Sequence, residues 1–243
     1  MNTERLQPFW ASVKDAPVVV LTDFDNTVTQ EDVGFLILRR LAPPSPETLR
    51  RFAAREIGSR AVWLESMARV DREEGEAIAR SVPLDPHFPG FVRWCRQNGI
   101  PLAVVSDGFG YYIRCILQRE GLADLPVFCN DMPRSGVLTF PHGNPACDRC
   151  GCCKALVVKR VREAGARVIY VGDGYSDLYA AGFADWVFAK GTLAAHMRKE
   201  GSPFYPMESY ADVHRVLAEH LERFRAGTAP GRSTLSPDPL CRF

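Results

Sequence analysis

Four groups of side chains in this sequence have the types and spacing that chemistry needs. Asp23-Phe24-Asp25-Asn26-Thr27 places two carboxylates two residues apart, and Gly172-Asp173-Gly174-Tyr175-Ser176-Asp177 supplies two more. Ser106-Asp107-Gly108 offers a hydroxyl beside a glycine that lets backbone amides approach an anion, and Lys154 opens a helical pattern, where an ammonium and a positive helix end can face the same anion. Carboxylates at ~4 Å repel by about 4 kcal/mol at an effective dielectric near 20, so such a cluster calls for a proton, a lysine or a divalent cation. All-oxygen ligation favours magnesium. The chemistry expected of the set is therefore handling of a phosphate-sized anion.

The elements that must position these groups are legible from hydrophobic patterning. Val18 to Thr22, Leu102 to Ser106 and Val168 to Gly172 are short runs rich in β-branched residues, and each leads into one of the aspartates. They lack in-out alternation, as expected of parallel strands covered on both faces. A fourth strand is expected at Trp186 to Ala189. Helical patterns at Pro89 to Asn98 and Lys154 to Ala164 precede the second and third runs, which predicts a doubly wound, Rossmann-like parallel α/β sheet. In such a sheet ligands bind beyond the carboxyl ends of the strands, where all of the aspartates fall.

Residues 30–86 do not fit the alternation. Val33 to Leu41 and Ser59 to Asp71 read as helices, Pro43-Pro44-Ser45-Pro46 breaks the chain between them, and Ser45 or Thr48 is a candidate cap. A helical insert over the sheet is expected, with Trp63 and Met67 packed inside it. Residues 1–29 and 87–226 then form the core, Val137 to Phe140 suggests a small hairpin, and 227–243, rich in Gly, Pro, Ser and Thr, reads as a disordered tail.

Bulk properties narrow the partners. The 243 residues carry 30 basic and 29 acidic side chains, and a net charge of +1 gives no electrostatic reason to expect nucleic acid or an anionic membrane. No run of 18 uninterrupted apolar residues and no basic-then-apolar leader is present, so a cytoplasmic protein is expected. The eight cysteines then read as thiols or metal ligands rather than disulfides. Cys147, Cys150, Cys152 and Cys153 crowd the approach to Lys154, and three readings stay open for them: small residues packing a tight loop, a metal tetrathiolate, or regulated oxidation.

Asp23-x-Asp25-x-Thr27, Ser106, Lys154 and Gly172-Asp173-Gly174-x-x-Asp177 resemble, in order, the four motifs of the haloacid dehalogenase superfamily. The insert between the first two resembles the small cap of its phosphoserine-phosphatase-like branch, and the run from Cys147 to Lys154 is similar to that of bacterial methionine salvage phosphatases. Asn26 departs from a glycine frequent there. The resemblance implies a magnesium-dependent phosphomonoesterase acting on a small phosphorylated metabolite, the methionine salvage enol phosphate or, as alternatives, phosphoserine, phosphocholine, phosphoethanolamine or another small phosphomonoester; a non-catalytic cysteine-cluster metal-binding module is the reading from a different class. It implies Asp23 as nucleophile, Asp25 as acid and base, and Ser106, Asp107, Gly108 and Lys154 around the phosphate. Metal ligands would be Asp23, the Asp25 carbonyl and Asp173, with Asp177 supporting. Glu31 and Asp32 are candidates for a substrate contact, although a helix start also favours acidic residues. Arg55 and Arg60 read as solvated charges. Members of the branch occur as monomers and as homodimers.

Overall fold

The computed structural model describes residues 3–241; Met1 and Asn2 of the expected core and Arg242 and Phe243 of the expected tail lie outside them. Along the chain run α1 (Thr3–Val13), β1 (Val18–Thr22), α2 (Val33–Leu41), α3 (Pro46–Ala53), α4 (Ser59–Ser66), a 3₁₀ turn (Met67–Arg69) and α5 (Arg72–Ser81). Then come α6 (Phe88–Gln97), β2 (Leu102–Phe109), α7 (Gly110–Arg119), β3 (Val127–Asn130), α8 (Lys154–Glu163) and β4 (Arg167–Gly172). The chain finishes with α9 (Tyr175–Ala181), β5 (Trp186–Ala189), α10 (Gly191–Lys199), β6 (Tyr205–Pro206) and α11 (Tyr210–Ala226).

The strands form one parallel sheet in the order β3-β2-β1-β4-β5-β6. Both faces are buried, which explains the unalternated runs: Val18 and Val20 of β1 join the core shared with α6, α7 and α11, while Val19 and Leu21 join the core shared with α1 and α8. With β1 between β2 and β4, the chain crosses over in opposite directions on the two sides of β1, and this switch point is where a doubly wound sheet opens its crevice.

Helices α2 to α5 leave the core after β1 and return before α6. A single bridge between Thr29 and Leu84 pins the entry to the exit, supported by hydrogen bonds from Gln30 N to Pro83 O (3.0 Å) and from Asp85 N to Val28 O (2.8 Å). Ser45 caps α3 by accepting from Thr48 N, and Asp71 caps α5, so the helices start where side-chain oxygens satisfy free amides.

Three expectations differ. The helix read over Ser59 to Asp71 ends at Ser66 and passes into the 3₁₀ turn Met67–Arg69, and Asp71 caps the next helix instead. Val137 to Phe140 contributes only a bridge of Thr139 to Asp131, not a hairpin. Residues 228–241, read as disordered from composition, lie along the core: Trp186 Nε1 donates to Ala229 O (3.2 Å), Arg232 pairs with Asp185 (2.5 Å) and Arg55 with Asp238 (2.6 Å). These anchors are mostly single polar contacts, which leave no periodic signal in a sequence.

Candidate active site

The site sits at the carboxyl ends of β1, β2 and β4. Asp23 follows β1, and its amide donates to Val171 O of β4 (2.9 Å), which locks the two strand ends together. Lys154, the first residue of α8, is almost wholly buried and bridges Asp23 Oδ1 (2.6 Å) and Asp177 Oδ1 (2.7 Å). Asp177 is held further by the Tyr170 hydroxyl (2.6 Å) and the amides of Asp173 (2.9 Å) and Gly174 (2.8 Å). Asp173 accepts from Asn26 Nδ2 (2.6 Å) and Thr27 Oγ1 (3.1 Å). Asn26 has φ 55°, a left-handed conformation that asparagine tolerates where most residues do not, so it fits the tight turn where glycine was expected.

Asp25 turns to the other side of the crevice. Its Oδ1 accepts from Val33 N (3.1 Å) and Gly34 N (3.3 Å) at the start of α2, and its Oδ2 from the Tyr112 hydroxyl (2.9 Å) and Ser106 Oγ (3.3 Å). The Ser106 hydroxyl also accepts from Gly108 N (2.9 Å). Gly108 is required by space: a Cβ there would lie 1.9 Å from the Tyr112 hydroxyl oxygen and 2.7 Å from Asp25 Oδ2.

Charge is unevenly compensated. Burial pushes Asp23 well above the usual carboxylate range, and Asp177 beside it adds to the rise. Burial and then Asp177 raise Asp173 to about 6. Burial would raise Asp177 too, but Lys154 outweighs it and holds the carboxyl low. Burial and the neighbouring Asp32 bring Asp25 to about 7. One lysine thus cannot neutralise the group. Oxygens of Asp23, Asp173 and Asp177 all lie within 4.8 Å of one another, a hard-oxygen donor set short of positive charge, which fits a magnesium ion.

These residues open onto a cavity of ≈ 190 Å³. Asp23, Asp25, Asp107, Gly108, Lys154 and Asp173 form its floor, while Asp32, Phe35, Phe52, Ser59 and Trp63 of the insert form its wall. Phe35 lies between Phe52 and Trp63 in tilted ring contacts, with centroids 5.9 and 5.7 Å away. The indole Nε1 of Trp63 is buried without a partner. Ser59 hydrogen-bonds Asp107, which also accepts from Cys152 N (2.8 Å) and Asn130 Nδ2 (3.2 Å).

Not every expected residue arrives here. Ser106 is fully buried and its hydroxyl is engaged by Asp25. Asp32 lines the cavity and caps α2 through Phe35 N (2.8 Å); its carboxylate is reached by cavity solvent yet enclosed enough that burial raises its pKa. Glu31 is exposed and contributes only its carbonyl to the turn. Arg55 is taken by Asp238, and the Arg60 guanidinium lies over the Phe140 ring at 4.6 Å. Met67 is buried, as its helical spacing implied, but Trp63 faces the cavity as well as the insert, because the stripe that packs α4 ends at the crevice. Cys152 points into the core at Phe128 O (3.6 Å), apart from Cys147, Cys150 and Cys153. Tyr112 and Asn130 carried no signal in the sequence, since both lie in elements whose residues read as ordinary core.

The haloacid dehalogenase-like hydrolase family matches residues 20–182. The 2-hydroxy-3-keto-5-methylthiopentenyl-1-phosphate phosphatase of Brevibacillus brevis is 32% identical over 83% of this chain and 96% of its own. That of Geobacillus kaustophilus is 31% identical over 82% and 95%. Among solved structures, a phosphoserine phosphatase described as a phospho-aspartyl intermediate analogue aligns over 84% of this chain and 98% of its own, with TM-score 0.57 and 18% identity, a likeness of fold. With its four motifs converging on one crevice, the chain belongs to the haloacid dehalogenase-like hydrolase family and is a phosphatase within it.

Proposed function

We propose that the chain is a magnesium-dependent phosphomonoesterase that works through an aspartyl phosphate on Asp23, with 2-hydroxy-3-keto-5-methylthiopentenyl-1-phosphate as substrate. The observation that carries the chemistry is the opposed placement of Asp23 and Asp25. Asp23 is tied to Lys154 on the sheet side, while Asp25, near pKa 7, is held by Tyr112 and α2 on the insert side.

Asp23 attacks phosphorus, and the bond to the leaving oxygen breaks as Asp25 gives that oxygen its proton. Asp25, now a carboxylate, takes a proton from water as the water attacks the phosphoryl group, releasing phosphate and restoring both carboxyl groups. A pKa near 7 suits both halves of the cycle. Lys154 fixes the orientation of Asp23 and offers positive charge to the transferred group, beside the Gly108 backbone. Asp23, the Asp25 carbonyl and Asp173 would hold magnesium, with Asp177 in support; when bound it offsets charge between nucleophile and phosphate.

The relatives' names and the wall of the cavity support this substrate. Phe35, Phe52 and Trp63 present an aromatic surface suited to a methylthio end. Asp32 beside those rings favours a second reading, a cationic amine such as phosphocholine or phosphoethanolamine. Steady-state kinetics on a panel of phosphomonoesters separates them. The first reading expects the highest kcat/KM for the enol phosphate, a magnesium requirement, and a loss to background in Asp23→Asn. A preference for the amines that Asp32→Asn abolishes would move the assignment to the second. Turnover of no ester with magnesium present would sink both.

A further inference from the structure

The three cysteines left after Cys152 turns into the core are spaced Cys147-x-x-Cys150-x-x-Cys153, and a fourth reaches them from 88 positions along the chain. Cys147, Cys150, Cys153 and Cys241 line one small cavity of ≈ 10 Å³, big enough for an ion and too small for a metabolite. Cys241 is delivered by a turn in which its amide donates to Asp238 O (2.9 Å) and Leu240 N donates to Asp238 Oδ1 (2.9 Å), while Asp238 itself is anchored on Arg55. Arg149 lines the same cavity, and its Nε is buried with no acceptor. A buried donor facing thiols is satisfied when the sulfurs are thiolates. All four thiols are free. The pattern of Cys-x-x-Cys with a partner from a distant segment is the one structural zinc sites draw on.

We propose that Cys147, Cys150, Cys153 and Cys241 form a tetrathiolate site for a divalent cation of the zinc class, which ties the C-terminal segment to the loop leading into Lys154. Among the described residues, only the aspartate group has all its ligand atoms within 4.8 Å of one another, so the thiols draw in when the ion binds. Four thiolates around one divalent ion leave a doubly negative centre, which Arg149 offsets. The site closes its coordination with protein ligands and keeps no open position for substrate.

The full chain, expressed with zinc and purified without chelator, tests this by metal analysis. The expected result is about one equivalent of tightly held zinc per chain. Exchange for cobalt then gives thiolate-to-cobalt charge-transfer absorption and the intense visible bands of a tetrahedral site, a signature that aspartate ligation does not produce. Cys241→Ser loses that absorption, Cys241→His restores a shifted version, and Cys152→Ala keeps it. Wild-type protein with no bound zinc and eight titratable thiols would overturn the proposal. So would a Cys153–Cys241 disulfide in place of the metal, or a cobalt spectrum unchanged by Cys241→Ser. The wild-type spectrum decides the matter even if a variant folds poorly.

Discussion

Asp25 is the residue on which the proposed acid-base steps turn, and Tyr112 is its most direct regulator. Burial raises the Asp25 pKa to about 7, and the Tyr112 hydroxyl, by donating to the carboxylate, works against that rise. Asp25 must be protonated to release the leaving group, so the rate should fall as pH climbs above about 7. Tyr112→Phe removes a contact that favours the ionised form, and the pKa moves up. The alkaline limb of the pH–kcat profile should therefore shift to higher pH by roughly half to one unit, the equivalent of one ordinary hydrogen bond. An unmoved or acid-shifted limb would mean that Asp25 is not the group titrating. Asp23, Asp25, Lys154 and Asp173 were legible in the sequence because each stands at the end of a hydrophobic run or the start of a helical one. Tyr112 was not, since it arrives from α7, a helix whose Gly-Tyr-Tyr-Ile start reads as core and whose hydroxyl reaches Asp25 only through the fold.

At the scale of elements, the insert meets the loop before Lys154 by close backbone contact at Gly58 and Arg60. Gly58, which caps α4, has unremarkable dihedrals (φ −97°, ψ 175°), but a Cβ on it would sit 1.9 Å from the carbonyl oxygen of Arg149. The same contact continues as Arg60 N donating to Arg149 O (3.0 Å) and Arg149 Nη2 donating to Arg55 O (2.7 Å). Gly58→Ala must therefore push the first turn of α4 away from the loop before Lys154. Ser59 would leave Asp107 and Trp63 would shift in the wall. Displacement of about 1 Å near a reacting centre costs up to about 100-fold, so kcat/KM should fall by about ten- to a hundredfold, mainly through KM. Gly90→Ala, where the nearest atom to the added carbon is 3.8 Å away, is the control and should leave the kinetics unchanged. A Gly58→Ala enzyme with wild-type KM would show that the insert's seat on the loop does not shape the substrate cavity. Helix α2 and strand β5 run over the residues expected from patterning, whereas β6 is only two residues long and α10 begins at a glycine, features too short or too plain for a periodic signal.

Across the whole molecule, the segment after α11 works as a strap. Composition alone assigned it to disorder because it has too few apolar residues to build a core of its own. It has no need to, since it satisfies groups that the core leaves open. Asp185 is buried, with its Oδ2 taken by Val168 N (2.9 Å) and its Oδ1 by Arg232. Trp186 Nε1 donates to Ala229 O, and Ser233 N to Asp185 O (2.8 Å). A chain ending at Gly227 would leave the Asp185 carboxylate half-paired and the indole N–H without an acceptor, each costing about 1–3 kcal/mol. For a chain of this size 1 kcal/mol moves Tm by about 2–4 °C, so thermal unfolding should begin roughly 5–10 °C earlier. Arg162, 3.5 Å from Asp185, softens the loss and sets the expectation at the lower end of that arithmetic. Arg232→Ala keeps Cys241 and the rest of the strap, and should show a smaller drop of the same sign. Measuring both with chelator present removes any contribution from a metal at Cys241. If the truncated chain melts within about 1 °C of the full one, less than the cost of one orphaned buried donor, the strap is not docked in solution and Asp185 and Trp186 find their partners in water.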